Sequence, residues 1–482
     1  MTDSLISKQL DYKKYTNSHP TYSYSKIIQQ TGGQTVTLTE NGGVESIFEL
    51  PPKVYNLAKT VLSFTFAPPV SGANLHNKIF IDCVPYIQQI QLYTRTGLFL
   101  VDLNYANNYT NAILRHESNK DEVLNNDKPH YGYWEGLSPA NIFGRREATN
   151  LASTKFVRPA WSQTADSAIS GSAPADDDAR LAGTVFGSGV TSYLEPEYVY
   201  VGDVNSATPV ISVKMPLGIY KNTGFDCDKD LYFGGETLYL RIIWAPFTRI
   251  GYRTQHPYNS NINHAALTGG AISELVLFAA IEQNPVIENE VKNKVANGGL
   301  SILWPNVYYN LLNLSAAGAG GLHAIQIKYN RGHGSKLKKI YWAPYSQVFT
   351  TYRNYDHCNR TPNNKVDSFY TTINNIRTSQ YDYVRSNGDD WMVKKDKLKG
   401  SCIFSSNEYY YNYTWIEDFT DPSMMTELSA MLKEYNVDEG LDLSNEIIYS
   451  IQATTNNVAI NHYVFAVTQK TLTIGAMGIT LN

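Results

Sequence analysis

The sequence predicts an all-β chain built as two tandem antiparallel sandwiches of the jelly-roll type, with a long loop insertion and few short helices. Three observations predict it. Apolar and polar residues alternate at period two through both halves. Glycine, proline and asparagine turn signals separate these runs at regular spacing, giving roughly eight strands per half. At 482 residues the chain is longer than one ordinary core organises.

In the first half, Thr35-Val36-Thr37-Leu38-Thr39 alternates, Val61–Phe66 reads as a short buried strand, and Lys78–Asp82 follows. Ile90–Leu92 and Leu98–Val101 flank Thr94-Arg95-Thr96-Gly97, where the glycine supplies the positive φ of a bulged hairpin. Tyr198–Val201, Ile211–Met215 and Thr237–Trp244 come next, the last with Leu238, Leu240, Ile242 and Trp244 on one face. In the second half, Leu275–Ala279 is apolar on both faces, as a central sandwich strand would be. His323–Tyr329 alternates, with His323, Ile325, Ile327 and Tyr329 together. Tyr409, Tyr411, Tyr413 and Trp415 form an aromatic stripe, and Ile460–Thr468 and Thr471–Ile474 close the chain.

A helix is expected over Pro422–Tyr435, with Asp421 as N-cap and proline at the first helical position. A second is expected near Asn108–Glu117. Two regions break the strand rhythm. Residues 118–195 contain a Ser-, Ala-, Gly- and Asp-rich tract (162–189) and read as a long loop insertion, and Tyr252–Gly270 reads as a connector. The expected division is therefore an N-terminal arm over 1–30, a first jelly roll over 31–265 and a second over 266–482. Tyr86–Asp102 and Tyr370–Arg385 both read as strand, turn, strand at comparable depth, which favours two related units. Ile243–Phe247 also resembles Tyr341–Tyr345, but at places too different to set the register of a duplication.

Composition narrows function. Charged residues make up 17% of the chain, against about 25% in ordinary soluble proteins. There are 36 tyrosines, a residue suited to strands and to interfaces with one wet end. A low-charge, tyrosine-rich chain suits a protein that packs against copies of itself. A net charge of -4 argues against sequence-specific nucleic-acid binding. Lys336-Leu337-Lys338-Lys339 reads as a solvated strand face, and Lys394–Lys399 as a solvated loop. Residues 1–30 hold no apolar signal-peptide core, and no run of about 18 apolar residues suggests a membrane span. Cys83, Cys227, Cys358 and Cys402 are scattered, so neither disulfides nor a zinc site is expected.

The search for chemistry leaves catalytic, cofactor-binding and metal residues all at none. No nucleophile elbow, zincin motif, Walker loop or dinucleotide fingerprint occurs. Ala316–Gly321 lacks the lysine and hydroxyl that would follow in a phosphate loop, and Arg331-Gly332-His333-Gly334-Ser335 reads as a hairpin turn. The histidines form no close pair on one face, and Asp356-His357-Cys358 reads as exposed loop. Asp226-Cys227-Asp228-Lys229-Asp230 lacks the glycine and terminal glutamate of a calcium loop, so a surface turn is expected. The sequons at Asn108, Asn313, Asn359 and Asn412 are expected to go unused.

The layout resembles the double jelly-roll major capsid proteins of polinton-like viruses, virophages and their larger double-stranded DNA virus relatives. The resemblance is carried by Val84-Pro85-Tyr86 through Asp102, by Met215-Pro216-Leu217-Gly218-Ile219 leading to Gly235–Leu240, by Phe369–Trp391 with Ile373-Asn374-Asn375-Ile376, and by the terminal strands from Ala459. It implies a homotrimer whose jelly rolls give a pseudo-hexameric capsomer, tiling an icosahedral shell around the genome in the virion. It further implies penton and minor capsid proteins as partners, and an internal membrane as a further surface. Residues 118–195 would be tower or inter-subunit loop, and residues 1–30, with Lys13-Lys14, an arm beneath the shell. The competing readings are a viral spike or host-recognition protein of β-sandwich type, a single jelly roll with long insertions, and a carbohydrate-active sandwich enzyme needing two facing carboxylates.

Overall fold

The computed structural model describes residues 20–67, 76–80, 86–117, 156–157, 160–161, 193–194, 198–201, 211–254, 265–315, 319–346, 366–379, 381–384, 387–392, 414–420, 440–456, 459–475 and 478–482. In chain order the main elements are β1 (Tyr22–Ile27), β2 (Glu45–Leu50), β3 (Val61–Ala67), β4 (Ile87–Thr94), β5 (Phe99–Asn104), α1 (Ala106–Glu117), β6 (Ile211–Pro216), β7 (Leu238–Trp244) and β8 (Ala271–Glu282). There follow α2 (Pro285–Asn297), β9 (Leu300–Leu314), β10 (Ala319–Tyr329), β11 (Lys336–Ser346), β12 (Val366–Ile373), β13 (Ile376–Arg377), β14 (Trp415–Asp418), β15 (Ile447–Asn456) and β16 (Ile460–Gly475).

These strands pair, always antiparallel, in a nested order. One sheet of the first sandwich runs β1-β8-β3-β6 and the other β2-β7-β4-β5. The second sandwich repeats this order: β9-β16-β11-β14 faces β10-β15-β12-β13. In each, the first main strand pairs the last, the second the seventh, the third the sixth and the fourth the fifth. That is one long hairpin rolled up, the jelly-roll connection. Short strands are added to these sheets, at Val36–Thr37, Val54–Asn56, Asp230–Tyr232, Tyr383–Val384, Leu441–Asp442 and Gly478–Leu481. A further sheet joins His76–Phe80 to Phe156–Val157, Tyr198–Val201, Gly251–Thr254 and Ala265–Ala266.

The alternation read from sequence is the alternation of burial. On β7, Leu238, Leu240, Ile242 and Trp244 are buried and the residues between them half-buried. Gly97 takes φ +89° in the turn between β4 and β5, where the ladder also shifts register. The strand–turn–strand echo lands on β4–β5 and β12–β13, the fourth and fifth positions of each roll. Trp244 and Trp342 sit on β7 and β11, seventh and third, so that shorter echo is indeed no duplication register.

Several expectations change. The strand containing Leu275–Ala279 is central, but it belongs to the first sandwich, hydrogen-bonded between β1 and β3. A division at residue 265 would cut this strand from its sheet. The expected connector over 252–270 contains paired strands, and Tyr22–Ile27 of the expected arm is a sheet strand. Helix α2 was not expected. Its start is marked by Asn284, whose side chain accepts from the Val286 amide, with proline in the first turn. Only Val295 of its residues is buried, so it lacks the apolar stripe that makes a helix legible. The expected helix over Pro422–Tyr435, the tyrosines of the 409–413 stripe and all of 118–195 but three short strands lie outside the described residues.

Arg331–His333 forms a turn, but it does not close a hairpin. It carries the chain from β10, paired with β15, to β11, paired with β16, and so from one sheet to the other. The corner is tight: Gly334 has φ +140°, and a Cβ there would stand 2.5 Å from the Gln469 carbonyl oxygen. Gly334→Ala is expected to cost about 1–3 kcal/mol through backbone strain and displacement of β16. A urea titration reads this as a lower midpoint at unchanged slope.

Candidate functional site: the seam between the sandwiches

The sheet β9-β16-β11-β14 is covered on both faces, and its alternation sorts residues between two cores. On β11, Tyr341, Ala343 and Tyr345 face the first sandwich, while Ile340 and Trp342 face the interior of the second. On β16, Tyr463, Phe465 and Val467 face outward to the seam, while Val464 and Ala466 face inward. One continuous hydrophobic core thus includes the whole interior of the first sandwich and the outer face of this sheet.

Helix α1 supplies the other side. Tyr105 precedes it with φ +51°, a costly conformation for a side chain of this size. Its ring packs edge-on against Tyr309 at 5.3 Å and Tyr463 at 5.2 Å. One turn on, the buried Tyr109 ring meets Phe465 edge-on at 5.2 Å, and its hydroxyl donates to the Lys221 carbonyl at 2.7 Å. Burial pushes the phenols of Tyr109 and Tyr341 well above their ordinary value, so both act as neutral donors. The end of α1 carries a polar clasp. Lys339 Nζ donates to Glu117 Oε1 at 2.8 Å and lies 3.3 Å from Asp418 Oδ2. The Tyr341 hydroxyl donates to the same Glu117 oxygen at 2.5 Å. Lys339 is therefore not part of a solvated face: the period-two pattern that turns Tyr341 toward α1 turns Lys339 there too.

At the other end, Trp304 of β9 inserts into the first sandwich. Its indole N–H donates to the Leu100 carbonyl at 2.7 Å, and the residue is fully buried. Gly224 lies directly on the ring, where a Cβ would fall 2.0 Å from the nearest ring carbon. The glycine is needed for space, so that indole and backbone can touch.

The residues weighed for chemistry are held apart. Asp228 accepts from Lys59 at 2.6 Å and from Asn56 at 2.8 Å, and these bonds hold its carboxyl below the usual range. Asp226 pairs with Lys221 at 3.2 Å, though burial raises its value. Asp230 accepts from the Tyr22 hydroxyl at 2.8 Å. Among the described residues, no three His, Cys, Asp or Glu side chains converge as a metal set would. Asn108, the first sequon, is buried within α1. The Asp356-His357-Cys358 segment lies outside the described residues.

Among the described residues, one close histidine pair exists, against expectation. His323 on β10 and His462 on β16 are both buried, with His323 Nδ1 and His462 Nε2 2.9 Å apart. The Trp342 indole donates to His462 Nδ1 at 3.1 Å and stacks on the ring, and His323 Nε2 lies 3.0 Å from the Ser315 carbonyl. Their spacing of 139 residues hid them, and each alone reads as a core residue on an alternating strand.

No protein-family description and no curated protein sequence matches the chain. Solved structures do. A chain of the Sputnik virophage aligns with a TM-score of 0.52 at 11% identity, covering 99% of this chain and 92% of that one. PBCV-1 VP54, fitted into a reconstruction of Sputnik, aligns at 0.51 and 10% identity, over 96% and 97%. The Faustovirus major capsid protein aligns at 0.50 and 10% identity, over 95% and 92%. Together with the pairing order, these likenesses establish the fold as a double jelly roll.

Proposed function

We propose that this chain is a viral major capsid protein, a structural rather than catalytic molecule that forms a homotrimer. Six jelly rolls would then make a pseudo-hexameric capsomer, and capsomers would tile an icosahedral shell around the genome in the virion. The observation that supports this most is the joining of two rolls of the same strand order through one continuous core. A threefold operator acting on such a pair places six similar sandwiches around one axis. Leu303, Tyr309 and Leu322, on β9 and β10, are exposed apolar side chains available to neighbouring copies.

On this reading α2 is the link between the rolls, so the division falls at Pro285–Asn297, and the arm is what precedes Tyr22. Penton and minor capsid proteins, and an internal membrane beneath the shell, are the partners such a subunit would meet. Among the described residues no helix is long and apolar enough to cross a membrane. Light scattering of the purified chain is expected to give three times 54.1 kDa, or 162 kDa. Electron microscopy of assembled material is expected to show pseudo-hexagonal capsomers. A stable monomer under all conditions would sink the proposal.

A further inference from the structure

We propose that the His323–His462 pair is an acid-operated latch across the second sandwich, closed only while both rings are neutral. The hydrogen bonds allow one arrangement of protons. An indole N–H can only donate, so His462 Nδ1, which meets Trp342, carries a lone pair. The His462 proton is then on Nε2 and is given to His323 Nδ1, and the His323 proton is on Nε2 and is given to the Ser315 carbonyl. Every ring nitrogen has one fitting partner. A further proton on His462 would set N–H against the Trp342 N–H, and one on His323 would set N–H against that of His462.

Among the described residues, no anionic group bonds to either ring. Across the ladders His462 stands opposite Leu312 on β9 and Pro344 on β11, and His323 stands opposite Ala453 on β15. Among the described residues, the titratable group that bonds to each ring is the other histidine, and no carboxylate bonds to either. Burial, and then the neighbouring His323 ring, pushes the His462 value down to about 3. Separation of the two layers of the second sandwich restores it to about 6.5. The opened state then binds the extra proton between those values. The latch's contribution is complete above about pH 6.5 and is lost as pH falls toward 3, the opening constant rising about tenfold per unit.

The position of the latch gives it a consequence. His462 and Trp342 belong to one sheet and His323 to the other, so the pair ties the two layers. Ser315 is the residue after β9, where the chain leaves one sheet for the other. Opening therefore releases the Ser315 carbonyl and separates the layers at that end.

The test uses the whole chain. With ¹⁵N-histidine labelling, NMR at pH 7 is expected to show both rings neutral and in the Nε2–H form. A charged ring at pH 7, or an Nδ1–H tautomer at His462, would overturn the latch. Urea unfolding at pH 7 and pH 5 then compares the wild type with His462→Gln. The unfolding constant of the wild type is expected to rise about 30-fold more than that of the variant on acidification. Equal rises would show a merely structural pair and would overturn the proposal. If His462→Gln does not fold, His323→Gln and the NMR tautomers decide by the same criteria.

Discussion

Trp304→Ala is expected to destabilise the protein by about 3–5 kcal/mol, since it empties a fully buried indole site at the seam. It also leaves the Leu100 carbonyl without its donor. Because the seam is part of the same core as the first sandwich, the loss should uncouple the rolls, so that denaturant unfolding separates into two transitions. Gly224→Ala attacks the same contact from the other side: its φ is ordinary, and the whole cost comes from a methyl group driven into the ring. The two changes should therefore be strongly non-additive, with Gly224→Ala nearly silent once Trp304 is alanine. A loss below about 1 kcal/mol for Trp304→Ala, or additive losses in the cycle, would show that the indole does not hold the rolls together.

Lys339→Met should be the next most damaging change, at about 2–4 kcal/mol. It removes the cation between Glu117 and Asp418, and Asp418 is only 3% exposed. Adding Glu117→Gln should recover part of the loss, because one of the two carboxylates left without the cation is then neutral. Burial by itself lowers the Lys339 value, but Glu117 and Asp418 more than reverse this, and the ammonium ends above its ordinary value. Its contribution is thus fully present below about pH 10.4 and is lost as pH rises through the higher folded value. Unfolding midpoints from pH 9 upward should fall further in the wild type than in Lys339→Met. Parallel curves would assign the alkaline loss to other groups.

Both changes act at contacts the sequence did not display. The indole of Trp304 and the amine of Lys339 sit on alternating strands, and alternation tells which residues share a face but not what covers it. That is why Lys339 read as solvated, and why β16, buried along most of its length, read only as two closing strands. The histidine pair shows the same limit from another side: two residues 139 positions apart meet only because β10 and β16 lie in facing sheets. Helix α2 escaped for a local reason, having caps but no apolar stripe.

The sequence by itself determined the all-β class, strands such as β3, β6, β7 and β10 with the inward face of β7, the β4–β5 turn and the presence of two similar units. These follow from period-two burial and from glycine's freedom at positive φ, and both act over a few residues. The tertiary structure alone decided that β8 closes the first roll, that Arg331–Ser335 turns a corner between sheets, and that one sheet is buried on both faces. Each of these depends on which distant strand supplies the neighbouring hydrogen bonds, and a strand's own residues encode a face without naming a partner.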